Sequence, residues 1–470
     1  MPNHAPNLSS SGSTTPASSS ALSHNPYRND ESFALAQDAA DPLAPLRAEF
    51  HIPRAHAAWA GLPADLVRGD ATSPSIYMTG NSLGAMPRKA REMLMHQLDD
   101  WAGLGVEGHL HGRDPWLPYH ESLRAPLARL VGALEREVVA MNSLTVNLHV
   151  LMTSFYRPSP TRFKIMIEDA AFPSDSHAVQ SQAYLHINDH GHNPAEAIVR
   201  LRPRAGESTL RTDDILAAIE REGPSLALVM LGGVNYLTGQ WLDMRPITAA
   251  ARACGAICGW DLAHAAGNVP MRLHDWGADF AAWCSYKYLN SGPGAIAGAF
   301  VHERHLARTD LPQFAGWWGN DPATRFAMGP DFVPVASADR WQLSNPPIFS
   351  MTPVKASLEL FDRAGIDQLR AKSIRLTGYA EWLIDQINAN APASNRIGIL
   401  TPRDPDRRGC QLSLVLPGDA RRAHDGLKAR GVVCDFRSPN VVRVAPTPLY
   451  TSFHDVWRLG QALAEVVSTR

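Results

Sequence analysis

Lys287 stands where a lysine is costly. It follows the apolar run Ala278 to Cys284, broken by one acid, and precedes Tyr288-Leu289-Asn290 and the turn Ser291-Gly292-Pro293-Gly294. The run predicts a short buried strand, and Ala295 to Val301 predicts a second one after the turn. An ammonium at the end of a buried strand is expensive unless paired. Such a lysine either snorkels its head to the surface or is kept for chemistry that needs an amine, most often a Schiff base with a carbonyl.

A second group belongs with it. Gly255 to Trp260 reads as another apolar strand and ends in Asp261-Leu262-Ala263-His264. Leu226 to Leu231, closed by Gly232-Gly233, reads as a third, and Pro246 to Cys254 is helix-compatible between them. Strand, helix, strand with apolar strands predicts a parallel sheet with right-handed crossovers, whose functional groups collect at the carboxyl ends of the strands. Asp261 and Lys287 then share one edge. An acid for a pyridinium nitrogen and an amine for an aldehyde carbon are the protein partners that pyridoxal 5′-phosphate requires. The plainer reading is a structural salt bridge.

Asp261-Leu262-Ala263-His264 followed by Ser285-Tyr286-Lys287-Tyr288-Leu289-Asn290 resembles the fold-type I pyridoxal phosphate enzymes of the class V aminotransferase group, and within it the kynureninase family. Gly80-Asn81-Ser82-Leu83-Gly84, Asn142 to Asn147, Phe172-Pro173-Ser174-Asp175, Gly316-Trp317-Trp318-Gly319, Ser344 to Ile348 and Arg443-Val444-Ala445-Pro446 match in the same order. The resemblance implies an α/β large domain with a mainly parallel sheet, a smaller C-terminal α+β domain and a homodimer. It implies hydrolysis of L-kynurenine, and of its 3-hydroxy form, to the anthranilate product and L-alanine in tryptophan catabolism.

Residue roles follow from the same resemblance. Lys287 forms the Schiff base and takes the Cα proton, Asp261 holds the pyridine-nitrogen proton, and Tyr286 binds phosphate and relays a proton. Leu144 and Thr145 meet the phosphate, Phe172 stacks on the ring, and Pro173, Ser174 and Asp175 belong to the same cofactor-binding run. His264 supports the ring or its oxygen. Trp317 and Asn345 reach the neighbouring subunit's phosphate and substrate ring. His109 enters the substrate pocket and contacts the substrate ring, and Arg443 clamps the α-carboxylate through paired hydrogen bonds. Gly232 departs from the pattern, standing where some relatives present a hydroxyl to the phosphate.

The rest of the chain must position these groups. A length of 470 residues suggests two domains, and a net charge of −2 gives no reason to expect nucleic acid or an anionic membrane as partner. No apolar run is long enough for a bilayer span, and the N-terminus lacks a secretory core. The five cysteines, Cys254, Cys258, Cys284, Cys410 and Cys434, read as reduced thiols of a cytoplasmic protein. Cys254 and Cys258 lack a second pair to complete a zinc site, so no metal is expected.

Residues 1–29 are rich in Ser, Pro, Asn and Thr and predict a disordered tail. Residues 30–85 form an N-terminal segment, 86–350 the large cofactor-binding domain and 351–470 the small domain. Helices are expected over Asp41 to Phe50; over Pro87 to Trp101, with Ala90, Met93, Leu94, Leu98 and Trp101 on one apolar face; from Ser143 through Met152, capped by Thr145; after Ser174 as cap; and from Thr212. Gly105 to Arg113 reads as a polar loop. The paired tryptophans, on a loop, read as a pocket wall or subunit interface. Helices over Pro353 to Ala364, Ile366 to Asn388 and near His424 to Arg430, strands at Gln411–Leu416, Val432–Phe436 and Val441–Val444, and a Ser452–Asp455 capping box complete the small domain.

Rival functions share parts of this pattern. A class V aminotransferase would keep Asp261 and Lys287 but need a keto acid. A cysteine desulfurase would need a mobile reactive cysteine. A serine hydrolase could use Ser174, Asp261 and His264 but lacks a Gly-x-Ser-x-Gly elbow. A binding protein of this fold need not keep Lys287.

Overall fold

The computed structural model describes residues 26–187 and 191–468. Its centre is a seven-stranded sheet in the order Val138–Ala140, Gly298–Val301, Phe280–Trp283, Ile257–Asp261, Leu226–Gly232, Lys164–Glu168, Ile198–Leu201. Only Gly298–Val301 runs against the others. It follows Phe280–Trp283 through the glycine turn, which allows an antiparallel neighbour where the helical crossovers elsewhere enforce parallel ones. Side chains alternate between two cores. Phe280 and Ala282 pack on one face, Ala281 and Trp283 on the other.

The small domain has a four-stranded antiparallel sheet, Gly398–Ile399, Leu412–Val415, Val441–Val444 and Asp435–Arg437. Helices Ile366–Ala389, Ala420–Ala429 and Phe453–Ser468 cover it. The N-terminal segment joins this domain: Ile76–Tyr77 pairs in parallel with Val432–Val433, and Ala34, Ile76 and Met78 enter the same core.

Several expectations need correction. The reading of residues 1–29 as a tail lies outside the described residues up to 25, whereas 26–29 are docked. Tyr27 packs 5.3 Å from Tyr379, whose hydroxyl donates to Arg28 O. The Asp41–Phe50 helix is a 3-10 turn, Ala44–Glu49, preceded by a helix over Glu31–Ala39 that Asp30 caps. Gly105 to Arg113 is a 3-10 turn and one helical turn, Gly108–His111, held by Arg113 N donating to Asp100 Oδ2 and by Trp116 against Gly108. The preceding helix, Arg88–Leu104, buries Ala90 and Met93 with Gln97 and Asp100, while Leu98 and Trp101 are exposed. Partners decided that face: Gln97 accepts from Trp116 Nε1. The helix expected from Pro353 starts at Ile348, with Pro353 inside it. Val432–Phe436 splits, its two halves pairing with different sheets. Trp318 is buried and stacks under Arg325, so only Trp317 of the pair is a surface ring.

The Ser452–Asp455 capping box is present: Asp455 N donates to Ser452 Oγ at 3.0 Å and Ser452 N to Asp455 Oδ2 at 3.2 Å. Asp38 supplies a second cap from the N-terminal segment, accepting from Phe453 N and His454 N at 2.6 and 3.0 Å. Losing such a cap costs about 1–2 kcal/mol. Asp38→Ala is therefore expected to lower the unfolding free energy by that amount in urea titrations, with little change in the cofactor spectrum.

Candidate active site

Because the strands that carry them run parallel, the carboxyl ends of five strands lie on one edge of the large sheet. Glu168, Gly232 and Asp261 are the last residues of three strands, Lys287 follows a fourth, and Ser143-Leu144 follows the Val138–Ala140 strand. A single cavity at this edge is lined by Ser143, Leu144, Thr145, Glu168, Phe172, Ser174, Asp175, Gly232, Asp261, His264, Tyr286 and Lys287.

The lysine loop is rigid. Asn290, at positive φ, donates its N–H to Lys287 O and its side-chain amide to Tyr288 O, and Ser291 N donates to Ser285 O. From outside, Gly84 N donates to Tyr286 O at 2.8 Å. A Cβ on Gly84 would lie 2.4 Å from Lys287 O, so only glycine permits this approach. Asn81, in the same motif, donates to Gln411 Oε1 and ties the loop to the small domain. The Gly80–Gly84 motif thus supports the lysine rather than contacting the cavity.

Three carboxyls crowd the cavity floor. Asp261 is buried and accepts from Ala263 N at 2.6 Å. Burial raises its pKa, against the pull of that N–H and of Lys287. Asp175, in the first turn of helix Pro173–Ile187, is held well above the usual carboxylate range by burial and by Asp261, with which it shares a hydrogen bond. Glu168 accepts from Gly232 N at 3.0 Å and is pushed up to about 7, mainly by burial. Glu168 escaped the sequence reading; the signal was an acid closing an apolar strand four residues before Phe172.

His264 is buried and held well below its ordinary pKa by burial, then by the Lys287 and Arg443 charges, so the ring is neutral. Its Nδ1 has no hydrogen-bond partner among the described residues. Phe172 leaves a half-open ring over the cavity, set edge-on to Tyr236 at 5.3 Å and 5.9 Å from Lys287 Nζ. Helix Leu144–Phe155 starts at the cavity, and Ser143 at its cap position makes no side-chain cap bond. Thr145 is not the cap; its hydroxyl meets Ser174 Oγ at 2.7 Å, and Ser174 likewise lies within its own helix. A helix N-terminus flanked by two hydroxyls suits an oxyanion. The orphaned His264 Nδ1, the buried acids, the open aromatic face and this anion seat fit pyridoxal phosphate.

Five expected residues do not line this cavity, Pro173 among them although its neighbours Phe172 and Ser174 do. His109, exposed, packs on Trp116 at 5.2 Å. Trp317 donates from Nε1 to Arg325 O and lies beside Phe326. Asn345 lines an adjoining cavity that shares Ser143 and Tyr286. Arg443 is buried behind Tyr236, donating from Nε and Nη2 to Asp435 at 2.8 and 2.7 Å and from Nη1 to Tyr236 O at 2.7 Å.

Fold and site together fit the class of fold-type I pyridoxal phosphate enzymes. The profile described as aminotransferase class-V matches residues 76–396, and that of the kynureninase C-terminal domain matches 369–463. Proteins named kynureninase from Salinispora tropica and Myxococcus xanthus are 56% and 53% identical, each alignment covering 93% of this chain and 97% of the relative. One from Nematostella vectensis is 48% identical over 91% of both chains. Among solved structures, the Escherichia coli cysteine desulfurase CsdA aligns with a TM-score of 0.67 at 17% identity, covering 91% of this chain and 98% of that one. The apo cysteine desulfurase of Thermococcus onnurineus aligns at 0.66 and 17%, covering 84% and 95%. The chain belongs to the kynureninase family of class V aminotransferase-like enzymes.

The raised Glu168 carboxyl has a consequence for the cofactor-free protein. Its proton is retained on folding where the unfolded chain has lost it. The associated stability is complete below about pH 4.5 and is lost as pH rises through about 7. The span corresponds to on the order of 3 kcal/mol at about 1.4 kcal/mol per unit. Urea titrations of the apo-protein at pH 5 and 7.5 are expected to show this fall, and Glu168→Gln to reduce it. An unchanged fall in the variant would place the effect elsewhere.

Proposed function

We propose a division of labour at the Lys287 site for the family's reaction: pyridoxal phosphate-dependent hydrolysis of L-kynurenine, in which water adds to the γ-carbonyl, the Cβ–Cγ bond breaks, and anthranilate and L-alanine leave. The observation that carries it is the convergence of Lys287, Asp261 and His264 at one strand edge under Phe172. Bound there, the cofactor supplies an electron sink for the charge released at the substrate's Cα and Cβ. Lys287 anchors it and then serves as the base for the Cα proton. Asp261, backed by Asp175, keeps the proton on the pyridine nitrogen. Neutral His264 offers Nδ1 to the ring oxygen. The first turn after Ser143, with Leu144, Thr145 and Ser174, holds the phosphate, and Pro173 fixes the entry to the helix that carries Asp175. Burial pushes the Tyr286 phenol up, so it keeps its proton and acts as a donor to the phosphate and to reacting atoms.

Arg443 remains our choice for the substrate carboxylate. Its contacts to Asp435 and Tyr236 O leave one N–H free of these partners on each terminal nitrogen. Asp435 then orients the guanidinium, and Tyr236 must yield for a carboxylate to reach it.

Trp317, Asn345 and His109 are assigned to the neighbouring subunit's site in a twofold homodimer. The support is that none of the three lines the Lys287 cavity, together with exposed apolar side chains nearby. Trp101 and Phe349 pair at 6.1 Å beside the Asn345 loop, and Phe326 and Met328 are exposed next to Trp317. A desulfurase reading is disfavoured because Cys284 is buried beside the lysine and burial raises its pKa, the reverse of a poised nucleophile. Free cysteines without a disulfide among the described residues support our placement in the cytoplasm. No helix among the described residues is long and apolar enough to cross a membrane.

Addition of L-kynurenine without any keto acid is expected to yield anthranilate, read by its fluorescence, with alanine in equal amount. Dependence on a keto acid would instead identify a transaminase. Lys287→Ala is expected to lose turnover by several orders of magnitude while keeping bound cofactor, and borohydride reduction of the wild type to mark Lys287 in peptide maps. Label on another lysine would remove the central assignment.

The shared site is tested by mixing subunits. If Lys287→Ala and Trp317→Ala are each nearly inactive, random mixing should recover up to about a quarter of wild-type activity, because half of the dimers carry one intact site. No recovery after verified exchange would place Trp317 in its own subunit's site.

A further inference from the structure

The opposite edge of the large sheet carries a second cluster of ligating side chains. Glu137 immediately precedes the Val138–Ala140 strand, His302 immediately follows the antiparallel Gly298–Val301 strand, and His274 lies in the turn before Phe280–Trp283. Strand direction therefore puts all three far from Lys287. One ligand atom from each lies within 4.8 Å of the other two. Glu137 is fully buried, and the two histidine rings stack with centroids 5.0 Å apart.

Hydrogen bonding leaves this cluster one cation short. Glu137 Oε2 accepts from Leu134 N at 2.8 Å and Oε1 from Glu303 N at 2.7 Å, which fixes the carboxylate in place. His274 Nδ1 meets the same carboxylate at 3.0 and 3.1 Å. His302 Nδ1 accepts a long bond from Arg304 N at 3.3 Å and also lies 3.5 Å from Glu137 Oε1; a bound ion would take over the lone pair now given to that N–H. Two acceptors thus face each other. The Arg304 guanidinium is itself engaged, donating to Asp279 Oδ1 and Gly277 O, and Arg136 pairs with Glu303.

We propose that Glu137, His274 and His302 form a binding site for a divalent transition metal, of which Zn²⁺ is the representative. Two imidazole nitrogens and one carboxylate oxygen are a common donor set for this ion, which takes water as its fourth ligand. Metal–ligand bonds of about 2.0–2.1 Å at tetrahedral angles separate ligand atoms by about 3.4 Å. The observed spacings of 3.0 and 3.5 Å from Glu137 Oε1 are close to that. On binding, the single ring proton of His274 would move through solvent from Nδ1 to Nε2, which frees the Nδ1 lone pair for the metal. The His274 side chain is 29% exposed, which gives an ion a way in. The metal would cross-link the ends of two strands and the turn before a third, and would not take part in the Lys287 chemistry.

The test uses chelator-treated, cofactor-loaded enzyme titrated with Zn²⁺ by calorimetry, and with Co²⁺ by visible absorption. One equivalent per chain is expected, with a rise in Tm. His302→Gln and His274→Gln are each expected to weaken that equivalent at least tenfold and to abolish the Co²⁺ bands, while kynurenine turnover in chelator stays at the wild-type value. Both substitutions leave the Glu137 backbone contacts in place, and a near-wild-type cofactor spectrum verifies folding. Absence of a stoichiometric site in the wild type, or unchanged binding in both variants, would overturn the assignment.

Discussion

Acids and a base taken out of water together at the carboxyl edge of a sheet are the constraint on which the rest of this structure depends. Asp261, Asp175 and Glu168 cannot all be ionised in a buried space with one lysine cation to balance them. On the proposed roles of these residues, a bound pyridinium would add a positive charge beside them. The arrangement is costly alone, and a ligand that relieved it would couple binding energy to stability.

Holding that arrangement requires rigidity around it. The lysine loop is stitched by its own backbone and clamped by Gly84, and the Gly80–Gly84 motif is bonded to the small domain through Asn81 and Gln411. Arg443, on a small-domain strand, reaches across to Tyr236 O at the rim of the cavity. The two domains are thus linked through residues next to the chemistry. A shift of one against the other would strain the bond between Arg443 and Tyr236 O, and on the role proposed for Arg443 it would also bear on how the substrate is held.

Cysteine desulfurases share this fold at 17% identity over most of the chain. What distinguishes the present chain lies in the details around that edge. Its cysteine beside the lysine is buried with a raised pKa. On a shared fold the reaction is decided by the side chains placed on it rather than by the fold itself.

Short apolar strands ending in Asp261 and Lys287 were legible in the sequence, because a period of two and a glycine turn are local properties of the chain. Phe172, Asp175, His264 and Tyr286 came with their motifs and meet in one cavity. Contacts distant in sequence were not legible. Which face of helix Arg88–Leu104 is buried was decided by Trp116 and Arg113 finding Gln97 and Asp100. The split of Val432–Phe436 was decided by Ile76 competing for half of it as a strand partner. Glu168 became a member of the site only when parallel pairing brought its strand end beside Gly232 and Asp261. Arg443 was visible as a residue, but its Asp435 partner was not identified from sequence. A lone strand pattern says that an acid or a base sits at an end; only the packed sheet says which other ends lie beside it, because burial, and with it the cost of each charge, is a property of neighbours rather than of order along the chain.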